Sequence, residues 1–522
     1  MNWRKTMLKP DPSRSQELIE RIQGLDSNKR QQLFSKLRQA GVNVARLPIV
    51  PARESGLLPL SHAQQRQWFL WLLEPQSAAY NICTALRLKG EFDGAAIEQA
   101  LQELIARQAS LRTRFVEEDG QAWQRILTPQ ELAFALQRRE AAEASPAQAI
   151  EACVNEQAML PFDLTTQPLI RACLLQLASD DHVLVLTLHH IITDGWSMGV
   201  LVEELLALYQ AARQGTVAQL PELSIQYADY GMWQRQWLEA GERERQLAYW
   251  QAQLGSEQAV LALPLDRLRP AAQSFRGASL GLHLPAALRD GLRQLARQQD
   301  VSLFTVLLAS FQVLLHGYSG QADIRVGVPN ANRNRAEAER LIGLFVNTLV
   351  FKSLLDGQLP FDALMRAVHL TGQDAQAHQE LPFEQLVEAL QPERNLSHNP
   401  LFQVMFNHQG GNRPARAGEG GGTGLEVESL EWDNRTAQLD LTLDTVESAE
   451  GLSANLTYAT DLFDRATIER LAEHWQNLLQ AIVANPRQPV GELSMLGAAE
   501  RERIVAQWNA TATDAYPLDT CV

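Results

Sequence analysis

Hydrophobic and polar positions along the chain follow two patterns, one typical of short strands and one typical of amphipathic helices. Residues 169–177 and 182–188 are short apolar runs bounded by polar turns, and they predict two neighbouring buried strands. Apolar residues at helical spacing predict helices over 94–108 and 197–214, and Asp93 is placed to cap the first of them. Strands interleaved with helices predict a mixed α/β lobe.

The second half of the chain shows a similar succession of predicted strands and helices. It predicts strands at 278–284, 323–328 and 345–354, helices at 285–299, 302–318 and 466–484, and a hairpin sheet at 425–431, 439–447 and 452–457. The fold class is therefore expected to be α/β, with one lobe over residues 51–230 and a second over 231–496. Residues 1–50 predict a helical appendage that serves as a docking or linker segment, and residues 497–522 predict a linker.

Length, charge and cysteine content narrow the class of protein. A chain of 522 residues is too long for one hydrophobic core, which agrees with two lobes. The net charge of −15 argues against a general nucleic-acid binder, and no apolar run has the length of a membrane span. The 4 cysteines are scattered without a Cys-x-x-Cys pair, which fits a reducing compartment. A cytoplasmic location is expected, with neither nucleic acid nor membrane as a partner.

The most distinctive chemistry lies where strand 182–188 ends, because His189, His190, Asp194 and Gly195 follow directly. An imidazole held at a strand end can accept or donate a proton near neutral pH. Adjacent strand residues point to opposite faces, so one histidine of the two can serve a given site. From spacing alone, acid/base catalysis and a hydrogen-bonded core pair are equally supported. No metal site is expected, since the helical His-Glu-x-x-His spacing is absent.

Residues 189–197 read His-His-Ile-Ile-Thr-Asp-Gly-Trp-Ser, and this segment resembles the core motif of the condensation domains of nonribosomal peptide synthetases. Six further segments resemble other motifs of that family in the expected order: 61–68, 107–115, 227–234, 342–348, 378–384 and 394–401. One departure lies in the second motif, where the family usually has Arg-His-Glu and this chain has Arg107, Gln108 and Ala109. No role of the family's His-Glu pair can be transferred to this chain.

The resemblance implies two lobes like chloramphenicol acetyltransferase, arranged in a V around a central tunnel. An upstream and a downstream carrier protein are expected as partners, each presenting a thioester on its phosphopantetheine arm. The domain is expected to bind no cofactor of its own and to be monomeric when isolated. Residues 497–522 resemble the linker into an adenylation domain, which is expected as a C-terminal neighbour in a larger synthetase.

The resemblance also implies roles for individual residues. His190 is expected to act on the attacking amine, His189 to pack on the opposite face, and Gly195 to offer its backbone to the thioester. Asp194 is expected to be structural, because a buried carboxylate without a partner is costly. Its candidate partners are Arg66, Arg107 and Arg112. The residues expected in the substrate tunnel are Trp196, Ser197, Asn347 and Thr348.

The implied reaction is attack of an acceptor's α-amine on a donor thioester, and the motif details resemble the class that joins an L-donor to an L-acceptor. A D-donor domain and a starter domain for fatty-acyl thioesters are alternatives. An epimerization domain and an inactive carrier-docking domain are less well supported. A heterocyclizing variant is disfavoured, because His189 stands where its signature needs an aspartate.

Overall fold

The computed structural model of the protein describes residues 22, 25, 27–39, 47–51, 56–141, 145–257, 260–390, 395–410, 425–430, 435–448 and 451–510. Most of the predicted N-terminal appendage before residue 27 and the tail from residue 511 lie outside these ranges.

The first half of the chain contains strands flanked by helices. In chain order the elements are α1 (Ser27–Gln39), β1 (Leu57–Pro59), α2 (His62–Leu73), β2 (Asn81–Gly90), α3 (Gly94–Arg107), β3 (Thr113–Glu118), β4 (Gln121–Ile126), β5 (Leu136–Glu140), α4 (Pro146–Met159), β6 (Ile170–Ala178), β7 (Asp181–His189), α5 (Gly195–Gln214), α6 (Tyr227–Trp237) and α7 (Arg243–Leu254). Asp93 caps α3 as predicted, because its carboxylate accepts hydrogen bonds from two amides of the first turn.

The second half of the chain also contains strands flanked by helices. Its elements are β8 (Gly277–Pro285), α8 (Ala286–Gln298), α9 (Leu303–Ser319), β9 (Asp323–Asn330), β10 (Asn347–Leu354), α10 (Phe361–Ala377), α11 (Phe383–Leu390), β11 (Val404–Gln409), β12 (Leu425–Leu430), β13 (Leu441–Glu447), β14 (Gly451–Ala459), α12 (Arg465–Ala484) and α13 (Ala498–Glu502). The predicted mixed α/β class is confirmed.

Two large sheets carry the two lobes. The first has the strand order β12-β2-β7-β6-β5, and the second has the order β10-β9-β11-β13-β14-β8. Strand β7 lies in the interior of the first sheet, and its residues 182–189 are all buried. A strand covered on both faces accounts for the continuous apolar run that predicted it.

The predicted hairpin sheet at 425–457 is wrong in its first strand. Strands β13 and β14 do form an antiparallel hairpin, with Leu441 opposite Tyr458. Strand β12 instead crosses to the other lobe and pairs with β2, with Leu425 opposite Gly90. Alternation of side chains predicts that a strand exists, but the partner of that strand depends on the tertiary structure. The two lobes therefore share a strand.

The lobes are also joined through α6, and the predicted boundary between residues 230 and 231 falls inside this helix. Tyr227, Tyr230, Trp233 and Trp237 are buried together with Phe345 of the second lobe. A buried aromatic helix, rather than an exposed linker, therefore connects the two halves.

Across the described ranges, no single helix combines the length and apolar composition of a membrane span. Helices α8 and α9 reach that composition only as a pair, and they are bent by 106° relative to each other.

Candidate active site

The two histidines lie at the junction of β7 and α5. Strand β7 ends at His189, a single 3-10 turn spans His190–Ile192, and α5 begins directly after Asp194. The amide of His190 donates to the carbonyl of Tyr80 at 2.8 Å, which holds the loop against the start of β2. The His190 backbone is therefore fixed by the sheet on one side and by a long helix on the other.

His190 is half-buried, and its ring has a defined hydrogen-bonding state. Its Nδ1 lies 2.7 Å from the carbonyl oxygen of Thr193. A carbonyl oxygen only accepts, so Nδ1 carries the hydrogen and a neutral ring keeps its lone pair on Nε2. Among the described residues, Nε2 contacts no hydrogen-bond partner. Burial lowers the pKa of His190, although Thr193 and the Asp194 carboxylate act in the opposite direction. The neutral form that can accept a proton is thus favoured.

His189 is the last residue of β7. Its side chain is buried, its Nδ1 accepts a hydrogen bond from the amide of Ile191 at 3.1 Å, and its ring packs edge-on against Phe162. Burial, followed by electrostatic repulsion from His190 and Arg171, lowers the pKa of His189 to about 3. His189 is therefore a neutral packing residue.

Asp194 caps α5 and also binds the other lobe. One carboxylate oxygen accepts from the amide of Ser197 at 2.8 Å and from Arg333 at 3.2 Å. The other accepts from the amides of Phe345 and Val346 at 2.9 and 3.2 Å. With four donors and a buried side chain, Asp194 is a structural anchor between the His loop and the second lobe.

The prediction of its arginine partner is wrong, because Asp194 pairs with Arg333. Each of the three predicted arginines has another partner: Arg66 pairs with Glu384, Arg107 pairs with Glu204, and Arg112 donates to the carbonyl of Leu127. Those three stand in motifs near the start of the chain. Arg333 belongs to the second lobe, 139 residues after Asp194, and no periodic pattern marks it.

The Arg333 side chain is itself almost fully enclosed. Its guanidinium donates to the carbonyls of Ala338 and Leu341 at 2.6 and 2.8 Å and to the hydroxyl of Ser197 at 2.6 Å. It also lies over the ring of Phe345, 4.1 Å from the centroid. Arg333 thus holds residues 338–346 against the start of α5.

Two of the predicted tunnel residues, Ser197 and Asn347, are buried and hydrogen-bonded. Ser197 is fully buried, and its hydroxyl donates to the carbonyl of Gly343 at 2.9 Å. The side-chain nitrogen of Asn347 donates to the carbonyls of Gln379 and Leu381, and its oxygen accepts from the amide of Phe383. Both side chains are thus held by hydrogen bonds within the protein, and their place in a substrate tunnel stays a prediction.

The other two predicted tunnel residues are more accessible. Trp196 is 51% exposed, and its ring nitrogen donates to the carbonyl of Glu339 at 3.1 Å. Thr348 is half-buried in β10, opposite Pro329 of β9.

Gly195 is exposed at the start of α5, and a Cβ atom at this position would meet no atom within 4 Å. The backbone therefore borders open space beside the His loop. Its amide is the first of the helix, where N–H groups lack partners within the helix and carry partial positive charge. Such an N–H group suits a developing oxyanion.

Residues of the first motif, 61–68, contact the His loop. Ser61 and Gln64 form a capping box at the start of α2. The side-chain nitrogen of Gln64 also donates to the carbonyl of Ile191 at 3.4 Å. Gln64 is buried and was not predicted as a site residue, although its capping-box spacing was readable in the sequence.

Tyr227 links the first, fourth and fifth motifs. Its hydroxyl lies 2.8 Å from the Ser61 hydroxyl and donates to the carbonyl of Leu344 at 2.6 Å. Gly343 lies under its ring, because a Cβ atom at that position would be 2.0 Å from a ring carbon. The close approach of backbone and ring requires glycine.

The two-lobed fold and the His-loop geometry define an acyltransferase-like protein, and comparison with known proteins identifies its family. The family model described as condensation domain matches residues 54–505. The chain belongs to the condensation domain family, whose members are the amide-forming acyltransferases of nonribosomal peptide synthetases.

Relatives agree with this assignment. Linear gramicidin synthase of Brevibacillus parabrevis includes a polypeptide that is 47% identical over 493 residues, which cover 94% of this chain and 6% of that polypeptide. Malpibaldin synthetase of Mortierella alpina is 40% identical over 466 residues, which cover 89% of this chain and 8% of that protein. The chain therefore spans less than a tenth of the length of either relative.

Solved structures share the fold. The X-domain from teicoplanin biosynthesis superposes with a TM-score of 0.78 at 27% identity, over 86% of this chain and 100% of that one. A four-domain nonribosomal peptide synthetase bound to AMP and glycine superposes with a TM-score of 0.75 at 26% identity, over 88% of this chain and 35% of that one. The predicted fold of two lobes like chloramphenicol acetyltransferase is confirmed, while its V arrangement stays a prediction.

Proposed function

We propose that the protein joins two carrier-bound substrates, with an L-configured donor thioester attacked by the α-amine of an L-configured acceptor. The new C–N bond forms as the C–S bond of the donor breaks. The donor acyl group moves to the acceptor carrier, and the amine proton leaves with the thiolate of the donor arm. Two phosphopantetheine arms placed end to end supply much of the rate, because they make the reaction effectively intramolecular.

The observation that carries this proposal is the state of His190. Its Nδ1 is bound to the Thr193 carbonyl, and Nε2 is left without a protein partner among the described residues. A neutral imidazole with a free Nε2 can hold the acceptor amine in its unprotonated form and take its proton as the tetrahedral intermediate forms. His190 is the proposed catalytic residue.

The residues around His190 have supporting roles in the proposal. The exposed Gly195 amide at the start of α5 is the proposed donor to the oxyanion. Asp194 and its partner Arg333 fix the position of the start of α5 relative to the His loop. In the proposal the two arms meet in a tunnel between the lobes, beside the exposed Gly195 backbone.

The proposed partners follow from the family. An upstream and a downstream carrier protein bring the substrates, and an adenylation domain follows this chain in a larger synthetase. The isolated domain is proposed to be a cytoplasmic monomer that holds no cofactor of its own.

The test is a condensation assay with two separately loaded carrier proteins, which compares the unmodified protein with His190→Ala. We expect dipeptidyl thioester from the unmodified protein and a loss of about a hundredfold or more in the variant. The matched control is His369→Ala, which removes a histidine whose ring contacts Gln373 at the surface of α10. Absence of product with the unmodified protein would refute the proposed reaction.

The same assay separates the alternative activities. Faster turnover of a D-configured donor or of a fatty-acyl thioester would replace the L-donor assignment. Racemised donor without a new amide would indicate epimerization, and carrier binding without either product would indicate a docking domain.

A further inference from the structure

Gln108 closes helix α3 and makes three hydrogen bonds at a junction of the two lobes. Its side chain is buried, and its Nε2 donates to Glu204 of α5 at 3.0 Å and to the carbonyl of Arg340 at 3.0 Å. Its Oε1 accepts from the amide of Ile342 at 3.0 Å. The amide group therefore uses both of its N–H donors and its acceptor at once.

Glu204 accepts one of these hydrogen bonds with a buried carboxylate. Its carboxylate is 1% exposed and is bound by Arg107 at 3.2 Å and by Gln108. A buried carboxylate needs its full set of donors, because an unpaired charge in the interior is costly. A neutral amide supplies one of these donors without adding charge.

Gln108 binds residues 339–346, the segment of the second lobe that packs against the end of the His loop and the start of α5. Residues 339–346 contact α5 and its cap through three further pairs: Trp196 with Glu339, Ser197 with Gly343, and Asp194 with Phe345. Gln108 adds a fourth connection between this segment and α5, because it binds Arg340 and Ile342 and also Glu204. Because α5 starts five residues after His190, displacement of this segment would shift the helix start that aims the His loop.

We infer that Gln108 is a positioning residue that locks residues 339–346 of the second lobe onto α5 and thereby holds the His190 loop in its productive geometry. Its action on turnover rests on the proposed condensation function. At position 108 itself the three bonds are made by an amide, which does not titrate.

The charged groups around position 108 belong to four elements. Arg107 lies on its own helix, Glu203 and Glu204 lie on α5, and Arg340 lies on the bound segment and pairs with Glu203 at 2.7 Å. From α6, Asp229 binds the amide of Gln226. Arg107 is already paired with Glu204, so a second carboxylate at position 108 would compete for one guanidinium.

The experiment replaces the amide by an isosteric carboxyl, Gln108→Glu. When ionised, the introduced carboxylate donates to neither Glu204 nor Arg340 and repels Glu204. When protonated, it donates one hydrogen bond again. Burial and the charge of Glu204 both raise the pKa of the introduced group. Turnover relative to the unmodified protein should therefore be about tenfold lower at about pH 8.5 and should recover towards about pH 6.

Two variants control this test. Gln99→Glu is the matched control, because Gln99 donates to Glu103 on the exposed face of α3, and the same exchange there should change turnover less than about twofold at any pH. Gln108→Met removes all three hydrogen bonds without adding charge, so its loss of turnover should be the same across that pH range. Circular dichroism establishes that each variant is folded.

Hydrogen exchange of the peptide containing residues 339–346 provides a second readout that does not need the reaction. Gln108→Glu should lose protection at high pH and regain it at low pH, in parallel with turnover. Unchanged protection and unchanged turnover would overturn the inference, and lost protection with full turnover would overturn the positioning role. If the unmodified protein forms no amide, the proposed function fails while exchange still decides whether Gln108 is the lock.

Discussion

Arg333 and Asp194 stand 139 residues apart in the chain, yet their side chains meet at 3.2 Å and are each 2% exposed. The pair belongs to opposite lobes, and it lies directly beside the loop that carries His190. Asp194 also accepts hydrogen bonds from the amides of Phe345 and Val346. One carboxylate therefore connects the start of α5, the Arg333 guanidinium and the backbone of the second lobe.

Removal of this carboxylate is expected to be strongly destabilising. Asp194→Ala leaves the Arg333 guanidinium buried without its counter-charge, so the free energy of unfolding should fall by about 3–5 kcal/mol. Urea denaturation followed by circular dichroism measures the change. The control is Glu98→Ala in the exposed pair with Arg138, where a loss of no more than about 1 kcal/mol is expected. Equal losses in the two variants would contradict the anchoring role of Asp194.

A methyl group at position 343 should not be accommodated. In Gly343→Ala the new Cβ meets the Tyr227 ring, so either the ring or the segment must move, and we expect a loss of stability of about 1–3 kcal/mol. Gly199→Ala on α5 is the matched control, because its Cβ meets no atom within 4 Å and should stabilise the helix by about 0.5–1 kcal/mol. Thermal denaturation of the two variants should therefore shift in opposite directions.

The pH dependence of turnover should report His190. The neutral ring is the form that accepts a proton, so turnover falls as pH falls through the pKa of His190, which burial lowers. The acidic limb should therefore lie below about pH 6.5, the ordinary value for histidine. An acceptor with a weakly basic aminooxy group in place of the amine removes the limb that an ordinary α-amine, with a pKa of about 8, would add above this value. An acidic limb above the ordinary histidine value would argue against the proposed state of the ring.

His189 should make folding stability depend on pH. Its pKa is lowered to about 3 in the folded protein, whereas an unfolded chain has the ordinary value near 6.5. The unfolded state therefore binds a proton first, and stability is lost as pH falls from about 6.5 towards 3, by about 2 kcal/mol at pH 5. His62, with a pKa also lowered to about 3, contributes in the same direction.

The variant His189→Asn tests this contribution. Its side-chain oxygen can still accept from the amide of Ile191, but it does not titrate. The difference in unfolding free energy between about pH 7.5 and about pH 5 should shrink by about 2 kcal/mol relative to the unmodified protein. An unchanged difference would show that His189 is not the titrating group.

Much of the local structure could be predicted from neighbouring residues. The apolar run of β7 and the cap at Asp93 are local signals, and each appears in the structure as predicted. The burial of His189 follows from its place in the buried strand, whereas His190 lies in the 3-10 turn after that strand. Strand β11 and helices α10 and α11 were not predicted, although α10 buries Phe361, Leu364, Met365 and Val368 at helical spacing.

The pairing of distant groups was beyond the reach of any local pattern. Strand β12 alternates like its neighbours but pairs with β2 of the other lobe, and Asp194 takes Arg333 rather than an arginine of the early motifs. Periodicity, capping and motif spacing act over a few residues, so they specify which elements form and where the chemistry lies along the chain. Which carboxylate meets which guanidinium, and which sheet receives a strand, depends on packing between segments far apart in sequence, where burial makes each unsatisfied group costly.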